Sequence, residues 1–281
     1  MSSRGLVKLY ISVVSHLHND ILIQLDTLMR LSKHPDIIVI FRDNIPTQKL
    51  KHYCDEHGIH YVSNKAEKGF SANNNLNFLL AESSGMKSGD YFVALNPDVY
   101  ICESMINNLV NVLKNSSEEI LVPNLYLNKE KTLFDDNLRQ YPKFTTFIRN
   151  YLLGDRSTVI DKSRPVTSEQ EFWCSGAFLI VKAYLYKKLK GFDEAYYMYC
   201  EDIDFCRRAR LLGHKPQFLP QIEAVHFRRV WSRKFLSKAF FRHVKSIIRY
   251  SFGTHSWRKQ RSSISICDYS EQSKSNNNLS H

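Results

Sequence analysis

Short apolar runs alternate with segments of helical periodicity along the first 125 residues of the chain. Leu6 to Val14, Ile37 to Phe41, Ile59 to Val62 and Tyr91 to Leu95 have the length and composition of buried strands. Apolar residues recur at helical spacing after the first run, and Pro46 marks the first turn of a later helix. Strands that alternate with helices favour parallel pairing, so the pattern predicts a doubly wound α/β sheet.

The second half of the chain carries a weaker pattern. Residues 124–170 are irregular and rich in charge, which we interpret as a hairpin followed by a helix. Phe172 to Val181 has the composition of another strand, and Glu223 to His226 that of a short one. Asp204 to Leu212 has the spacing of a helix. These elements would extend the sheet predicted for the first half.

The excess of positive charge is confined to one segment near the C-terminus. The formal net charge is +11, and the residues from His226 to Arg261 contain eleven Lys or Arg and no Asp or Glu. Apolar residues recur between the basic ones at helical intervals, together with Trp231 and Trp257. This composition is typical of a helix in the interface of an anionic membrane. A core-packed helix with a solvated basic face and a subunit interface are the alternatives.

Composition favours a globular protein of the cytosol. A hydrophobic content of 43% and an aromatic content of 12% can supply a substantial core. No run approaches the roughly 20 apolar residues of a membrane-spanning helix, and Met1 to Gly5 leads directly into a strand, so no secretory signal is expected. The six cysteines show no Cys-x-x-Cys spacing and are interpreted as reduced thiols. The Ser- and Asn-rich residues 262–281 are predicted to form a disordered tail.

Polar residues follow three of the predicted strands at the point where each strand ends. Ser15 follows the first strand, Asp43 and Asn44 the second, and Asn96 to Asp98 the fourth. Ligands of such sheets bind at the carboxyl ends of the strands, so these side chains could converge on one site. A carboxylate there suits Mg²⁺ or Mn²⁺ on a diphosphate, although Asn-Pro-Asp is also common in turns.

A second acidic cluster, formed by Glu201, Asp202 and Asp204, stands at the start of a predicted helix. The aromatic and apolar run from Tyr196 to Cys200 precedes it and could form the wall of a pocket. Such surroundings lower the local dielectric and can raise the pKa of one carboxylate toward the working range of a base. Simple capping of a solvated helix is the alternative for acids at this position.

Three weaker signals accompany the acidic clusters. Gly69 and the run from Asn73 to Asn75 follow the third strand, where they could contact a ligand or cap a helix. His226 could complete a metal site or be structural. Trp173 to Ala177 forms a small, closely packed turn. None of these signals identifies a function by itself.

Taken in order, these motifs resemble the inverting family-2 glycosyltransferases with a GT-A fold, over about Leu6 to Phe227. The Tyr-Cys-Glu-Asp-Ile-Asp run with the basic segment is most similar to bacterial rhamnosyltransferases. Those enzymes transfer L-rhamnose from dTDP-rhamnose to N-acetylglucosamine-diphosphate-polyprenol during O-antigen or cell-wall linker assembly. The resemblance implies a GT-A domain over residues 1–227, with a donor half of about 1–125 and an acceptor half of about 126–227. It also implies a membrane-associating helical segment over 228–261, on the cytoplasmic face of the bacterial inner membrane.

The resemblance further implies a role for each motif. Asp202 would be the general base, with Glu201 as the second choice, and Asp98 and His226 would bind Mg²⁺ or Mn²⁺. The residues implied at the donor nucleotide are Ser15, Asp43, Asn44, Gly69, Asn73, Asn75 and Asn96. The residues implied at the lipid-diphosphate-linked sugar acceptor are Trp173, Cys174, Ser175, Gly176, Asp204 and Arg208. Such a reaction uses one base and a metal, without a covalent enzyme intermediate.

Two other functions compete with this one. Another family-2 hexosyl- or N-acetylhexosaminyltransferase would carry the same motifs. A nucleic-acid-binding protein could use the basic segment, but acids at the strand ends would repel phosphate, and we expect no nucleic-acid partner.

Overall fold

The computed structural model describes residues 7–167, 169–228, 238–252 and 259–264. The strands within these ranges are β1 (Leu9–Ser15), β2 (Ile37–Asp43), β3 (His60–Ser63), β4 (Tyr91–Leu95), β5 (Val99–Tyr100), β6 (Ile120–Tyr126), β7 (Leu138–Arg139), β8 (Trp173–Cys174), β9 (Phe178–Lys182) and β10 (Gln217–His226). The helices are α1 (Asn19–Leu25), α2 (Thr27–Ser32), α3 (Gln48–Glu56), α4 (Phe70–Ser83), α5 (Glu103–Asn115), α6 (Phe144–Leu153), α7 (Ala183–Lys188), α8 (Glu201–Leu211) and α9 (Lys238–Phe252).

Eight of the strands form one sheet in the order β3-β2-β1-β4-β9-β6-β10-β5. The four strands predicted in the first half pair in parallel, as the alternation with helices required. Strand β9 lies antiparallel between β4 and β6, and β5 lies antiparallel to β10. The predicted α/β fold with a mostly parallel sheet is therefore confirmed, while β7 and β8 form a separate two-stranded sheet.

Helices cover both faces of the large sheet. Alternate residues of a strand point to opposite faces, so Leu9 and Ile11 of β1 enter one apolar cluster and Tyr10 enters the other. The first cluster includes residues of α2 and α5, and the second includes residues of α4, α7 and α8. Polar residues, among them Ser15 and Asp43, lie at the carboxyl ends of the parallel strands.

Several predicted element boundaries are wrong. Strand β10 begins at Gln217 and is longer than the short strand predicted from Glu223 to His226. The helical spacing after β1 belongs to two short helices, because Asp26 adopts a left-handed conformation (φ 55°) between them. The apolar run from Phe172 to Val181 is two strands, β8 and β9, separated by the turn at 175–177. Helix α8 begins at Glu201, so the acidic cluster lies within its first turn.

The hairpin and helix expected in 124–170 are both present. The hairpin is a turn closed by the bridge between Tyr126 and Phe134, and the helix is α6.

The C-terminal residues differ from the prediction in one respect. Ile264 is buried in the second apolar cluster, and the Ser263 hydroxyl donates to Glu194 Oε1 at 2.7 Å. The predicted start of the tail at residue 262 is therefore too early. The rest of the tail, and Trp231 and Trp257, lie outside the described residues.

In the part of the chain that the structure describes, no helix combines the length and apolarity needed to cross a membrane. The cysteines described there are free thiols: Cys54, Cys102, Cys174, Cys200 and Cys206.

Candidate active site

The ends of β1 and β2 are tied to the loop that precedes α4. The Asn44 backbone N–H donates to the Ser15 carbonyl (2.9 Å), and the Asn64 N–H donates to the Asp43 carbonyl (3.1 Å). The Asn44 side chain accepts from the Lys68 N–H (2.9 Å) and donates to the Lys68 carbonyl (3.0 Å). Ser15, Asp43 and Asn44 are thus brought together at one edge of the sheet, as predicted.

Asp43 presents an unsatisfied acceptor at this edge. Its Oδ2 accepts from the Thr47 N–H (3.0 Å) and the Tyr61 hydroxyl (3.2 Å). Its Oδ1 is buried and has no hydrogen-bond partner among the described residues. Burial raises the pKa of Asp43, although the hydrogen bonds oppose that rise. A buried oxygen without a donor is rare in a folded protein, so a ligand N–H is the natural partner.

The side-chain amides of Asn73 and Asn75 in α4 are engaged by groups of the protein itself. The Asn73 amide donates to the Lys68 carbonyl (3.1 Å), and its oxygen accepts from Asn64 (2.6 Å). Asn75 accepts from the Phe192 N–H (3.0 Å) and donates to the Phe192 carbonyl (2.8 Å). These contacts support structural roles for Asn73 and Asn75 in place of the donor contacts that the resemblance implied. An amide that binds a ligand and one that binds backbone look the same in a sequence.

Gly69 lies where two backbone segments meet. A Cβ atom at this position would lie 2.3 Å from the Tyr197 carbonyl oxygen. The Phe70 N–H donates to that carbonyl (2.8 Å), and the Ser71 hydroxyl donates to the Tyr196 carbonyl (2.9 Å). The start of α4 is therefore fastened to the loop that precedes Asp202, and Gly69 permits the contact.

We expect Gly69→Ala to destabilise the protein, because neither backbone can move away without breaking these hydrogen bonds. Overpacking of this kind costs about 1–3 kcal/mol, which corresponds to a fall in Tm of roughly 2–10 °C. Gly89→Ala is the control, because a Cβ there meets nothing within 4 Å. Thermal unfolding followed by circular dichroism measures both, and equal Tm values for the two variants would contradict the assignment.

Asp98 and His226 face each other at the far side of the sheet. Strand β5 pairs with the end of β10 so that Val99 lies opposite His226. Asp98 Oδ1 lies 3.3 Å from His226 Nε2, and His226 Nδ1 lies 2.7 Å from Asp135 Oδ2. Arg228 pairs with the same Asp135 carboxylate. The two predicted metal ligands are therefore in contact, and Asp135 binds the other ring nitrogen of His226.

This donor set fits a divalent cation. An imidazole whose Nδ1 is held by a carboxylate presents Nε2 to a metal, and such partners fix the orientation of ligating histidines. Burial lowers the pKa of His226, but its contacts with Asp135 and Asp98 outweigh burial and raise it to about 9, so a bound cation would have to displace the Nε2 proton that these two carboxylates stabilise. No group of three or more His, Cys, Asp or Glu able to hold a metal occurs within the described ranges. Mg²⁺ and Mn²⁺ commonly use few protein ligands and take the rest from phosphates and water.

Asp202 is held at the start of α8 by backbone donors. Its Oδ2 accepts from the Gly176 N–H (3.2 Å), and its Oδ1 accepts from the N–H of the next residue, Ile203 (2.9 Å). Burial raises the pKa of Asp202, while these donors oppose the rise. The side chain is partly exposed, so a substrate can reach it from solvent.

Glu201 differs from its neighbour. It is buried, and its Oε2 has no hydrogen-bond partner among the described residues. Burial, followed by the charge of Asp202, raises the pKa of Glu201 well above its ordinary value. The surroundings of Glu201 therefore disfavour its carboxylate form, whereas Asp202 has the N–H donors that stabilise a carboxylate. The contacts favour Asp202 as the base.

A chain of contacts joins Asp202 to the metal pair. The Asp202 carboxylate accepts a hydrogen bond from the Gly176 N–H. Ala177 follows Gly176, and its carbonyl accepts a hydrogen bond from the Asn96 N–H (2.8 Å). The Asn96 side-chain amide lies 3.4 Å from His226 Nε2. Asp202, the turn at 176–177 and the Asp98–His226 pair are thus linked by a continuous path of contacts.

Several residues implied at the acceptor have other partners. Cys174 is buried, with its Sγ 3.7 Å from that of Cys206. Asp204 binds Arg208 at 2.7 Å, and Arg208 also donates to the carbonyls of Leu189 and Gly191. These contacts support structural roles for Cys174, Asp204 and Arg208, because their polar groups point into the fold.

The other residues of the predicted acceptor group lie closer to the base. Trp173 is partly exposed on β8, opposite Arg139 of β7, and its indole N–H donates to the Gln140 carbonyl (3.1 Å). The Ser175 N–H donates to the Asn137 carbonyl (2.9 Å), and Gly176 contacts Asp202 directly.

Sequence reasoning missed the segment from Asp135 to Arg139. Asp135 binds His226, the Asn137 carbonyl binds Ser175, and the positive charge of Arg139 lowers the pKa of Asp202 against the larger effect of burial. The segment therefore runs from the metal pair to the base. In the sequence, the polar run Asp135-Asp136-Asn137 is the one feature that could have pointed to this segment.

Helix α9 supports the loop before Asp202. The Ser246 hydroxyl donates to the Met198 carbonyl (3.0 Å), and Arg242 lies 3.7 Å from the centre of the Tyr197 ring. Tyr199 and Cys200 both have left-handed backbones, with φ of 70° and 65°. Residues other than glycine are strained in this region, and such strain persists only where the surroundings hold it.

Comparison with known proteins bears on this site. The chain matches no protein-family model. It is 33% identical to rhamnosyltransferase WbbL of Escherichia coli K12 over 244 residues, which cover 86% of this chain and 91% of WbbL. It is 25% identical to the N-acetylglucosaminyl-diphospho-decaprenol L-rhamnosyltransferase of Mycobacterium tuberculosis over 178 residues, 60% of this chain and 58% of that protein.

Solved structures share the fold at low identity. The mannosyltransferase PcManGT of Pyrobaculum calidifontis, in complex with GDP-mannose and Mn²⁺, has a TM-score of 0.51 at 13% identity, over 81% of this chain and 58% of PcManGT. TarS 1–349 of S. aureus, in complex with UDP, has a TM-score of 0.54 at 13% identity, over 78% of this chain and 60% of that structure. These likenesses concern the fold alone.

The fold and the site together define a glycosyltransferase of the GT-A class. The extent and identity of the match to WbbL then decide the family. The chain belongs to the family of rhamnosyltransferase WbbL.

Proposed function

We propose that this enzyme transfers L-rhamnose from dTDP-L-rhamnose to an N-acetylglucosamine-diphosphate-polyprenol acceptor in cell-surface polysaccharide assembly, with inversion at the sugar carbon. The observation that carries the proposal is the path of contacts from Asp202 through Gly176, Ala177 and Asn96 to His226 and Asp98. This path supports a mechanism in which one base and one metal pair act in a single site. Relatives whose names specify rhamnose and a diphospho-decaprenol acceptor support the choice of substrates.

On the donor side, the nucleotide lies along the ends of β1 and β2. The buried Oδ1 of Asp43 accepts an N–H of the base, which satisfies the unpaired oxygen. Ser15 and Asn44 shape the adjoining surface, and Asn44 does so mainly by holding the Lys68 backbone. Asp98 and His226 would hold Mg²⁺ or Mn²⁺, which when bound offsets the charge of the leaving diphosphate.

On the acceptor side, Asp202 takes the proton of the attacking hydroxyl. The acceptor oxygen bonds to the anomeric carbon as the bond from that carbon to the diphosphate oxygen breaks, and the diphosphate leaves with the electron pair. The Gly176 and Ile203 N–H groups orient the Asp202 carboxylate, and its raised pKa makes it a stronger base than an exposed aspartate. A single displacement inverts the configuration at the anomeric carbon.

The substrate assignment is tested with a panel of nucleotide-sugars and a synthetic N-acetylglucosamine-diphosphate-lipid acceptor, with products identified by mass spectrometry. We expect a deoxyhexose to be added from dTDP-L-rhamnose and little addition from UDP-glucose, UDP-N-acetylglucosamine or GDP-mannose. Efficient transfer from one of these others, with none from dTDP-L-rhamnose, would assign the chain to another hexosyl transfer.

We also propose that α9 docks on an anionic membrane, where a lipid-linked acceptor resides. One face of α9 is packed against the loop before Asp202, and the opposite face is exposed. Part of the positive charge is used internally, since Arg228, Arg242 and Arg249 pair with acids. The exposed apolar side chains on α9, and on the neighbouring α6, are Phe241, Ile248, Phe252, Ile148 and Leu153. Insertion of these side chains beside Lys245 would support peripheral attachment to the cytoplasmic face of the inner membrane.

Vesicle flotation tests this surface. Phe241→Ser with Ile248→Ser removes apolar side chains that are 58% and 51% exposed, and we expect binding to anionic phospholipid vesicles to fall at least about tenfold, since each buried CH₂ contributes about 0.8 kcal/mol. Leu211→Ser with Leu212→Ser is the control, because these two residues lie at the C-terminal end of α8 and are 60% and 51% exposed. Unchanged flotation of the α9 variant, or an equal loss in both, would contradict the assignment.

A further inference from the structure

We infer that Arg139, Arg156 and Arg228 form a second anion site, on the acceptor side, that binds the diphosphate of the lipid-linked acceptor. This site is distinct from the metal pair that would hold the donor diphosphate. The inference rests on the proposed function for the identity of the ligand, and on the geometry of the missed segment from Asp135 to Arg139 for its position.

The three guanidinium groups converge on two neighbouring carboxylates. Asp136 binds Arg139 at 3.0 Å and Arg156 at 2.6 Å, while Asp135 binds Arg228. Both carboxylates are buried, whereas the side chains of Arg156 and Arg228 are 66% and 42% exposed. Asp135 and Asp136 thus hold the guanidinium groups from the buried side, and Arg156 and Arg228 remain partly exposed to solvent.

Positive charge exceeds negative charge in this cluster. Lys162 adds a fourth cation, with its amine 2.7 Å from Asn137 Oδ1 and 2.8 Å from the Leu125 carbonyl. Four cations therefore face two carboxylates, and Asp135 is shared further with His226. Arginine presents several N–H donors in a plane, so one that binds a single carboxylate still has donors for phosphate.

The cluster lies between the two reacting centres. At one end Asp135 holds His226 of the metal pair, and at the other Arg139 lies close enough to Asp202 for its charge to act on that carboxylate. An acceptor hydroxyl at Asp202 belongs to the sugar that carries the diphosphate. Because Arg139 connects the cluster with Asp202, we place that diphosphate at the cluster, while the donor diphosphate would lie at Asp98 and His226.

Steady-state kinetics of the full chain test the inference. Arg156→Gln removes an exposed cation while Asp136 keeps its pairing with Arg139. We expect the KM for N-acetylglucosamine-diphosphate-lipid to rise about tenfold, because the variant loses the charge-assisted hydrogen bonds of the guanidinium group to the diphosphate. The KM for dTDP-L-rhamnose and the KM for the same acceptor built without phosphate should stay unchanged. Arg156→Lys should recover part of the loss. Arg164→Gln is the matched control, because its side chain is 84% exposed and pairs with Asp161 alone among the described residues.

The outcomes separate this inference from the proposed function. An unchanged acceptor KM, an equal rise for both acceptors or a rise in the donor KM would overturn it. Binding of geranyl diphosphate in EDTA, measured by calorimetry, gives a second arm that needs no sugar transfer. Binding weakened by Arg156→Gln would uphold the anion site even if the wild type transferred no rhamnose, and equal binding by both would overturn it.

Discussion

Asp202→Asn is expected to lower kcat by about a thousandfold or more while donor binding stays nearly unchanged. General bases contribute roughly 10²–10⁴-fold to rate, and asparagine fills the same space without accepting the proton. The asparagine oxygen can accept from only one of the Gly176 and Ile203 N–H groups, so the Tm of the variant is measured as well, and an unchanged Tm assigns the loss to the missing base. Turnover with saturating substrates and calorimetric binding of dTDP measure the two quantities.

Glu201→Gln provides the comparison for this variant. Burial raises the pKa of Glu201 well above its ordinary value and so disfavours its charged form, and glutamine matches the uncharged side chain in size, so kcat should fall far less. The raised pKa of Asp202 also implies that wild-type kcat declines with falling pH sooner than an ordinary aspartate would allow, since protonation removes the base. A larger loss in Glu201→Gln than in Asp202→Asn would transfer the role to Glu201.

Removal of divalent metal is the second change expected to have a large effect. EDTA should abolish transfer and Mg²⁺ or Mn²⁺ should restore it, while Asp98→Asn should lower activity by about a hundredfold or more, because the loss of a metal ligand forfeits several kcal/mol of charge stabilisation. Mn²⁺ binding in the presence of dTDP, followed by electron paramagnetic resonance, gives a readout independent of turnover. Asp161→Asn is the control, because this carboxylate is exposed and away from the metal pair.

Full activity in EDTA would exclude the metal role of Asp98 and His226. Equal Mn²⁺ affinity in wild type and Asp98→Asn would place the metal elsewhere in the chain.

The sequence pattern was most informative where the fold is regular. Parallel pairing of β1 to β4 follows from strands that alternate with helices, and this pairing alone brings Ser15 and Asp43 to one edge. The prediction that Asp98 and His226 share a site came from the family resemblance. The structure explains it through the pairing of β5 with β10, which no local pattern specifies.

Other features could not be predicted because their determinants are tertiary. Asp135 and His226 are 91 positions apart, and the segment around Asp135 has no periodicity to mark it. The polarity of Asn75 suggested a ligand contact, but its partners are the Phe192 backbone groups, which are remote in sequence. In α9 the alternation of basic and apolar residues fits a packed helix and a membrane helix equally well, and the structure gives it one packed face and one exposed face.

The proposed reaction is a single displacement in which Asp202 acts as the one base beside Asp98 and His226. Nuclear magnetic resonance of the product formed from dTDP-L-rhamnose and the synthetic acceptor compares the anomeric configuration of the transferred sugar with that of the donor. We expect the opposite configuration. Retention of configuration would contradict it, because retention by two displacements requires a covalent or equivalent intermediate that this arrangement does not use.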